Sequence, residues 1–282
     1  MLPSASFARN LPISGTEILY WRSATFIILD AVEARQKHAK PLTARPETTV
    51  ADSDSDDLAE VFSPPRVVPW ARAANLKASL SVDVLTGTDL LTMAGRASMD
   101  LALLRNRPLL LVLSPPCTMY SILTWSFQHG RTPADMWNAK MRDASALLTL
   151  AMQLAARQVS SGRYFVFEHP ATAKSWHTVV VQNVAALAGV RVVTFDQCRY
   201  GLVSPGGQPL RKRTSFMTNC SFVAEAFDGK RCQRRERHRQ IIGAERGRCL
   251  SAWAAHYPPA LCRELAVCAR LRRQCELAQP VV

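Results

Sequence analysis

Residues 109–121 read LLLVLSPPCTMYS, and this stretch decides the fold. The aliphatic run 109–113 suits a strand buried on both faces, as in the parallel sheet of an α/β domain. Pro115 and Pro116 then remove two N–H donors and fix φ, so the strand must stop there. Cys117 is thereby expected on a stiff loop at the carboxyl edge of the sheet, where α/β folds place their ligands. A thiol in that position is a candidate nucleophile if nearby positive charge or a helix N-terminus activates it. The plainer alternative is a small buried hydrophobe, the ordinary fate of a free cysteine.

Outward from that strand the texture repeats. Short apolar runs at 58–62, 80–85, 164–167 and 190–195 read as further buried strands. The clearest helix falls at about 139–160, where Ala144, Leu147, Leu148, Ala151, Leu154 and Ala155 form one apolar stripe. Gly162 is its expected stop. Residues 174–187 and 258–273 also read as helices, the second opening on Pro258 and Pro259. Strands alternating with helices predict an α/β fold with a doubly wound, mostly parallel sheet.

Two more segments end in chemistry. Residues 163–170, RYFVFEHP, form an apolar strand that stops at Glu168, His169 and Pro170. A carboxylate there, across from Cys117, is placed to hydrogen-bond or to donate a proton. Residues 196–219 contain a Gly/Pro bend (Pro205, Gly206, Gly207), then Arg211, Lys212 and Arg213, then a strand-like return at 215–218. Such arginines suit phosphate or a base edge; otherwise the turn is a solvated hairpin.

The chain has 282 residues, 48% of them hydrophobic, enough for a core of its own. No run approaches the roughly 18 to 20 apolar residues of a membrane span. Nor is a secretory leader recognisable, so the expectation is a nuclear or cytoplasmic chain whose eight cysteines are reduced. The formal charge of +13 points to a polyanion partner. Its distribution says more. Residues 1–59 hold six basic and eight acidic residues, whereas 211–248 hold eleven basic and four acidic ones. Residues 1–57 are therefore expected as a poorly ordered leader ending in a solvated acidic hinge, with four Asp in residues 52–57. The basic run 230–239, KRCQRRERHR, offers Lys230, Arg231, Arg234 and Arg235 to a phosphate backbone. Cys232, His238, Cys249 and His256 contain no C-x-x-C or H-x₃-H pair, so no metal is assigned.

Taken together and in this order, these motifs resemble the DNA (cytosine-5)-methyltransferase family. The family's Pro-Pro-Cys loop matches Pro115, Pro116 and Cys117, with its following serine at Ser121. Its Glu-Asn-Val is similar to Glu168-His169-Pro170. Its Tyr-Gly…Gln-x-Arg-x-Arg is similar to Tyr200, Gly201, Gln208, Arg211 and Arg213. Residues 60–63 (Glu60, Val61, Phe62, Ser63) resemble its cofactor strand, Asp83 its ribose-binding acid and Asp89 its adenine-side acid. Residues 255–259 resemble its closing motif. The resemblance covers about residues 58–265, and the wording EVFSPPR, SPPCTMYS and FEHPA is similar to divergent domains in retroelement polyproteins of dinoflagellate-type protists.

The resemblance implies a Rossmann-like S-adenosylmethionine fold over 58–273, with 217–256 as a short basic insertion in place of a target-recognition domain and 274–282 as a tail. It implies methyl transfer to carbon 5 of cytosine in DNA, rather than RNA, through a Cys117 adduct on a flipped base. Glu168 would be the acid, Arg211 or Arg213 the adduct stabiliser. Glu60, Phe62, Ser63, Asp83, Asp89 and Pro115 would hold S-adenosylmethionine; Ser121, Gln208 and Lys212 would face nucleic acid. One departure stands out: Pro64 and Pro65 occupy the place of the family's loop glycines, removing N–H donors. That favours an alternative, a decayed methyltransferase fold serving as a basic nucleic-acid-binding module. A thiol hydrolase pair of Cys117 and His169 ranks last, since it leaves Asp83, Asp89 and the arginine turn unused.

Overall fold

The computed structural model describes residues 55–278. The expected disordered leader lies outside the described residues except for its last three positions, and so do residues 279–282. Six strands, β1 (Leu58–Val61), β2 (Ser81–Val82), β3 (Leu110–Leu113), β4 (Tyr164–Pro170), β5 (Arg191–Asp196) and β6 (Arg213–Thr218), form one sheet in the order β2-β1-β3-β4-β6-β5. β2, β1, β3 and β4 are parallel neighbours, and β6 runs antiparallel to both β4 and β5. The α/β class and the mostly parallel sheet are as the sequence indicates. Helices α1 (Val68–Ala73), α2 (Met93–Asn106), α3 (Ile122–Gln128), α4 (Ala134–Ser160), α5 (Val179–Ala185), α6 (Ser221–Phe227), α7 (Leu250–Trp253) and α8 (Pro259–Leu277) complete it. A small hairpin of β7 (Ala244–Glu245) and β8 (Arg248–Cys249) stands apart.

The apolar runs at 58–62, 109–113 and 164–167 became central strands, buried on both sides with residues alternating between two cores. Those at 80–85 and 190–195 supplied the edge strands β2 and β5. Ala59, Val61, Leu111, Leu113, Phe165 and Phe167 join one core with Met99 of α2, Leu148 and Ala151 of α4, and Val181 of α5. Leu58, Leu110, Val112 and Val166 join the other with Ala71 of α1, Phe227 of α6 and Leu261 and Leu265 of α8. Burying each large side chain stabilises the fold by about 1.5–3 kcal/mol. Phe195, Phe216 and Phe227 add edge and tilted ring contacts at 4.7–4.9 Å between centroids.

Several boundaries differ from expectation, each for a local reason. β2 stops at Val82 because the Asp83 carboxylate accepts Leu85 N–H at 2.9 Å and turns the chain. The helix expected at 174–187 is interrupted at the extended Thr178, whose hydroxyl donates to Ser175 O at 2.7 Å. The expected tail is helical to Leu277, because Glu276 accepts from Tyr164 Oη at 3.0 Å and from Arg272. The acidic hinge is not solvated at Asp56 and Asp57, which are buried. Asp56 accepts from Ser79 N–H and Oγ–H; Asp57 accepts from Lys77 N–H and pairs with Arg273 at 3.1 Å. Of the expected 217–256 insertion, α6 belongs to the second core, so the irregular basic segment starts only after Phe227.

Candidate functional site

Val61, Leu113 and Phe167 lie side by side in register, so β1, β3 and β4 deliver their next residues to one edge. There the chain places Phe62 and Ser63, then Ser114 to Cys117, then Glu168 and His169. The reversed strand begins at the edge where the others end: Thr214 stands opposite Pro170 and Ser215 opposite His169. Residues 211–213 therefore arrive beside Glu168. Had β6 been a fifth parallel strand, its amino end would have lain at the far side of the sheet.

The thiol loop is anchored from three directions. Ser114 N–H donates to Val61 O at 3.2 Å, and Ser114 Oγ and Tyr257 Oη share a hydrogen bond of 2.8 Å. His169 Nε2 is 3.1 Å from Pro115 O, and its Nδ1 is 2.6 Å from Ser175 Oγ. A carbonyl only accepts, so Nε2 carries the proton and Nδ1 accepts from the serine. Burial drives the His169 pKa down to about 4, which keeps the ring neutral. Cys117 itself is half-buried. Burial pushes its thiol up to about 11, Glu168 adds to the rise and Lys212 opposes it. At neutral pH the sulfur is a thiol.

The cation beside Glu168 is Lys212, with Nζ 3.7 Å from Oε1, and Lys212 also donates to Ala254 O at 3.0 Å. This corrects the expectation that Arg211 or Arg213 stands there. Lys212 is half-buried, whereas Arg211 and Arg213 on either side of it are exposed. Arg213 donates to Asp196 at 2.9 Å and is half-exposed, while the side chain of Arg211 is exposed on the wall of a cleft. Burial works to raise the Asp196 carboxyl. The bonds from Arg213 and Cys232 N–H, with the charges of Arg213 and Arg231, outweigh it and hold that group below its ordinary value.

The cleft measures about 930 Å³. Its walls carry Gln208, Arg211, Lys212 and Arg213 from the turn, Arg237 and Arg239 from the basic segment, and Ser121, whose hydroxyl also caps α3 through Leu123 N–H. Arg231 lies 3.8 Å from Asp196, and the carbonyl of half-buried Lys230 accepts Asp196 N–H. Arg234 and Arg235 are exposed on the same segment, outside the cleft wall.

The residues expected to hold S-adenosylmethionine behave differently. Glu60 is buried, and its Oε1 accepts the N–H groups of Arg66, Val67 and Val68 at 3.0, 2.7 and 2.6 Å, closing the amino end of α1 from within. Desolvation raises the Glu60 pKa against those bonds. Phe62 and Ser63 are buried, Phe62 with φ of 64°, and Ser63 Oγ donates to Pro64 O at 2.8 Å. Pro115 is buried with its carbonyl taken by His169. Asp83 and Asp89 remain at the surface, each with one oxygen on the N–H two residues ahead. Two carboxylates suit ribose hydroxyls, but the cofactor's own carboxylate needs N–H donors. Residues 64 and 65 have none, and those of 66–68 are used. As folded here, this loop does not fit the whole cofactor.

No family model, curated protein or solved structure matches this chain.

Sequence reasoning missed the Lys212 position, Ser175 behind His169, Tyr257 against Ser114, and Cys198 on the cleft wall. None of the four carries a local signal in the sequence, because each depends on which residue a distant segment brings beside it.

Proposed function

We propose that this chain binds nucleic acid, DNA in preference to RNA, along its basic cleft and holds an unpaired cytosine against Glu168, Lys212 and Cys117. One observation carries this reading: Lys212 lies on the cleft wall and also faces Glu168. Arg211, Arg213, Arg237 and Arg239 supply phosphate contacts, whose energy offsets the few kcal/mol that unstacking a base costs. The Glu168 carboxylate can accept from the exocyclic amine of cytosine, and the Lys212 ammonium can donate to ring nitrogen 3. On this reading the sheet is of methyltransferase type and the loop at 62–68 has closed over its cofactor place. Fluorescence anisotropy with a labelled cytosine-containing single strand tests it. Salt-dependent binding that weakens in Lys212→Met is expected; no binding at low salt overturns it.

A second reading, S-adenosylmethionine-dependent methyl transfer to carbon 5 of cytosine, is favoured by the convergence of Cys117 with Glu168 and Lys212, which binding alone does not require. A 5-fluorocytosine oligonucleotide that forms a covalent complex in the wild type and none in Cys117→Ser would support it. Calorimetry showing no heat with millimolar S-adenosylmethionine would remove it.

A further inference from the structure

The basic segment has no regular structure from residue 230 to residue 238, yet it is fastened to the end of β5. Asp196 N–H donates to Lys230 O at 3.0 Å, and Cys232 N–H donates to Asp196 Oδ2 at 3.1 Å. Cys198 sits two residues beyond Asp196, on the short turn Gln197–Tyr200. His238 folds back toward the same place. The two sulfurs and a ring nitrogen lie within 4.8 Å of one another, and His238 Nε2 is 3.2 Å from Cys232 Sγ. The other ring nitrogen, Nδ1, is 2.9 Å from Glu236 O. That carbonyl can only accept, so Nδ1 holds the proton and the Nε2 lone pair is turned toward the thiols.

We propose that Cys198, Cys232 and His238 bind one Zn²⁺ ion, which closes the basic segment onto the end of β5. In tetrahedral zinc, bond lengths of about 2.3 Å to sulfur and 2.0 Å to nitrogen put neighbouring donors roughly 3.5–3.8 Å apart. The observed spacing reaches that with shifts below about 1 Å. Two sulfurs and one imidazole, with no carboxylate among them, suit a soft divalent ion rather than calcium or magnesium. Both thiol protons leave on binding, so two thiolates balance the ion's charge and no cation is added to the arginine-rich segment. All three side chains line the cleft, so the fourth position opens into it and takes a water molecule. The set differs from the one weighed on spacing. Cys249 is exposed and bonded to Ser251, and His256 is exposed and bonded to Trp253 O.

The test uses the full untagged chain, reduced and reconstituted with zinc alone or with cobalt(II) alone. About one zinc per chain is expected, and cobalt should give thiolate charge-transfer bands with intense tetrahedral bands in the visible. Cys232→Ser and His238→Ala should lose the metal, while Cys249→Ser and Cys117→Ser keep it. Zinc below about 0.2 per chain with no cobalt bands overturns the proposal. So does equal loss of metal in Cys249→Ser. Should Cys198→Ser fail to fold, the wild-type cobalt spectrum still decides whether two thiolates bind. Tryptic cleavage at Arg234 and Arg235 gives a separate readout: it should speed up at least several-fold once a chelator removes the ion. An unchanged rate would contradict the fastening role.

Discussion

Lys212 Nζ faces Glu168 Oε1 across 3.7 Å, with side chains only 10% and 9% exposed. Removing one partner leaves the other charge buried and uncompensated. Lys212→Met should therefore lower stability by about 3 kcal/mol, and Glu168→Gln combined with Lys212→Met should recover most of that loss. Denaturant titration of the four proteins checks it; simple additivity of the two single changes would show that the ion pair is not coupled.

Protonation of His169 should limit stability in acid. Its folded pKa of about 4 lies below the unfolded value of about 6.5, so between them the unfolded chain holds more protons. Stability from this group is complete above pH 6.5 and falls as pH drops toward 4, by about 3 kcal/mol in all. In His169→Asn that slope should disappear. Melting temperatures from pH 7 to pH 4 measure it, and a parallel decline in both proteins would contradict the assignment.

Cys117 should be a slow nucleophile without a ligand. With its thiol pushed up to about 11, alkylation by iodoacetamide should rise nearly tenfold per pH unit between pH 7 and pH 10. Glu168→Gln removes a charge that raises the pKa and should speed the reaction at fixed pH; Lys212→Met should slow it. Peptide mapping by mass spectrometry separates Cys117 from exposed Cys249, which serves as the internal reference.

Phosphate contacts predict a salt signature. Arg211→Ala, Arg237→Ala and Arg239→Ala should each weaken oligonucleotide binding to a similar degree for every sequence. Each should reduce the slope of log K against log salt by about one. Unaltered slopes in all three would place the nucleic acid elsewhere on the protein.

Strands were legible where burial on both faces wrote continuous apolar runs, as in β1, β3 and β4. β5, an edge strand that buries only Val193 and Phe195, was legible from its β-branched and aromatic residues. α2 was not, because Met99 and Leu103 are buried while Met93, Leu101 and Leu104 are exposed, which leaves no apolar stripe. α6 is seven residues long, too short to show a period. Cys117 and Glu168 stood out because each comes soon after an apolar run, 109–113 and 164–167, although β4 itself extends through Glu168 to Pro170. Choosing Lys212 over its neighbours needed the facing of one residue, which depends on how β6 enters the sheet. The cluster of Cys198, Cys232 and His238 is joined only by folding, with 33 residues between the two cysteines.

Reversal of β6 also fixes the order in which the site can be assembled during synthesis. A chain that has emerged as far as Asp196 already contains β1, β3 and β4, but β5 reaches the sheet only through β6. Until Thr218 has emerged, the far side of β4 is an open edge of mostly apolar residues. The thiol loop thus forms before the lysine that will face Glu168. During that interval another nascent chain can pair with β4 in place of β6. Slow translation between residues 170 and 218 should therefore favour aggregation over folding, whatever the finished domain's stability.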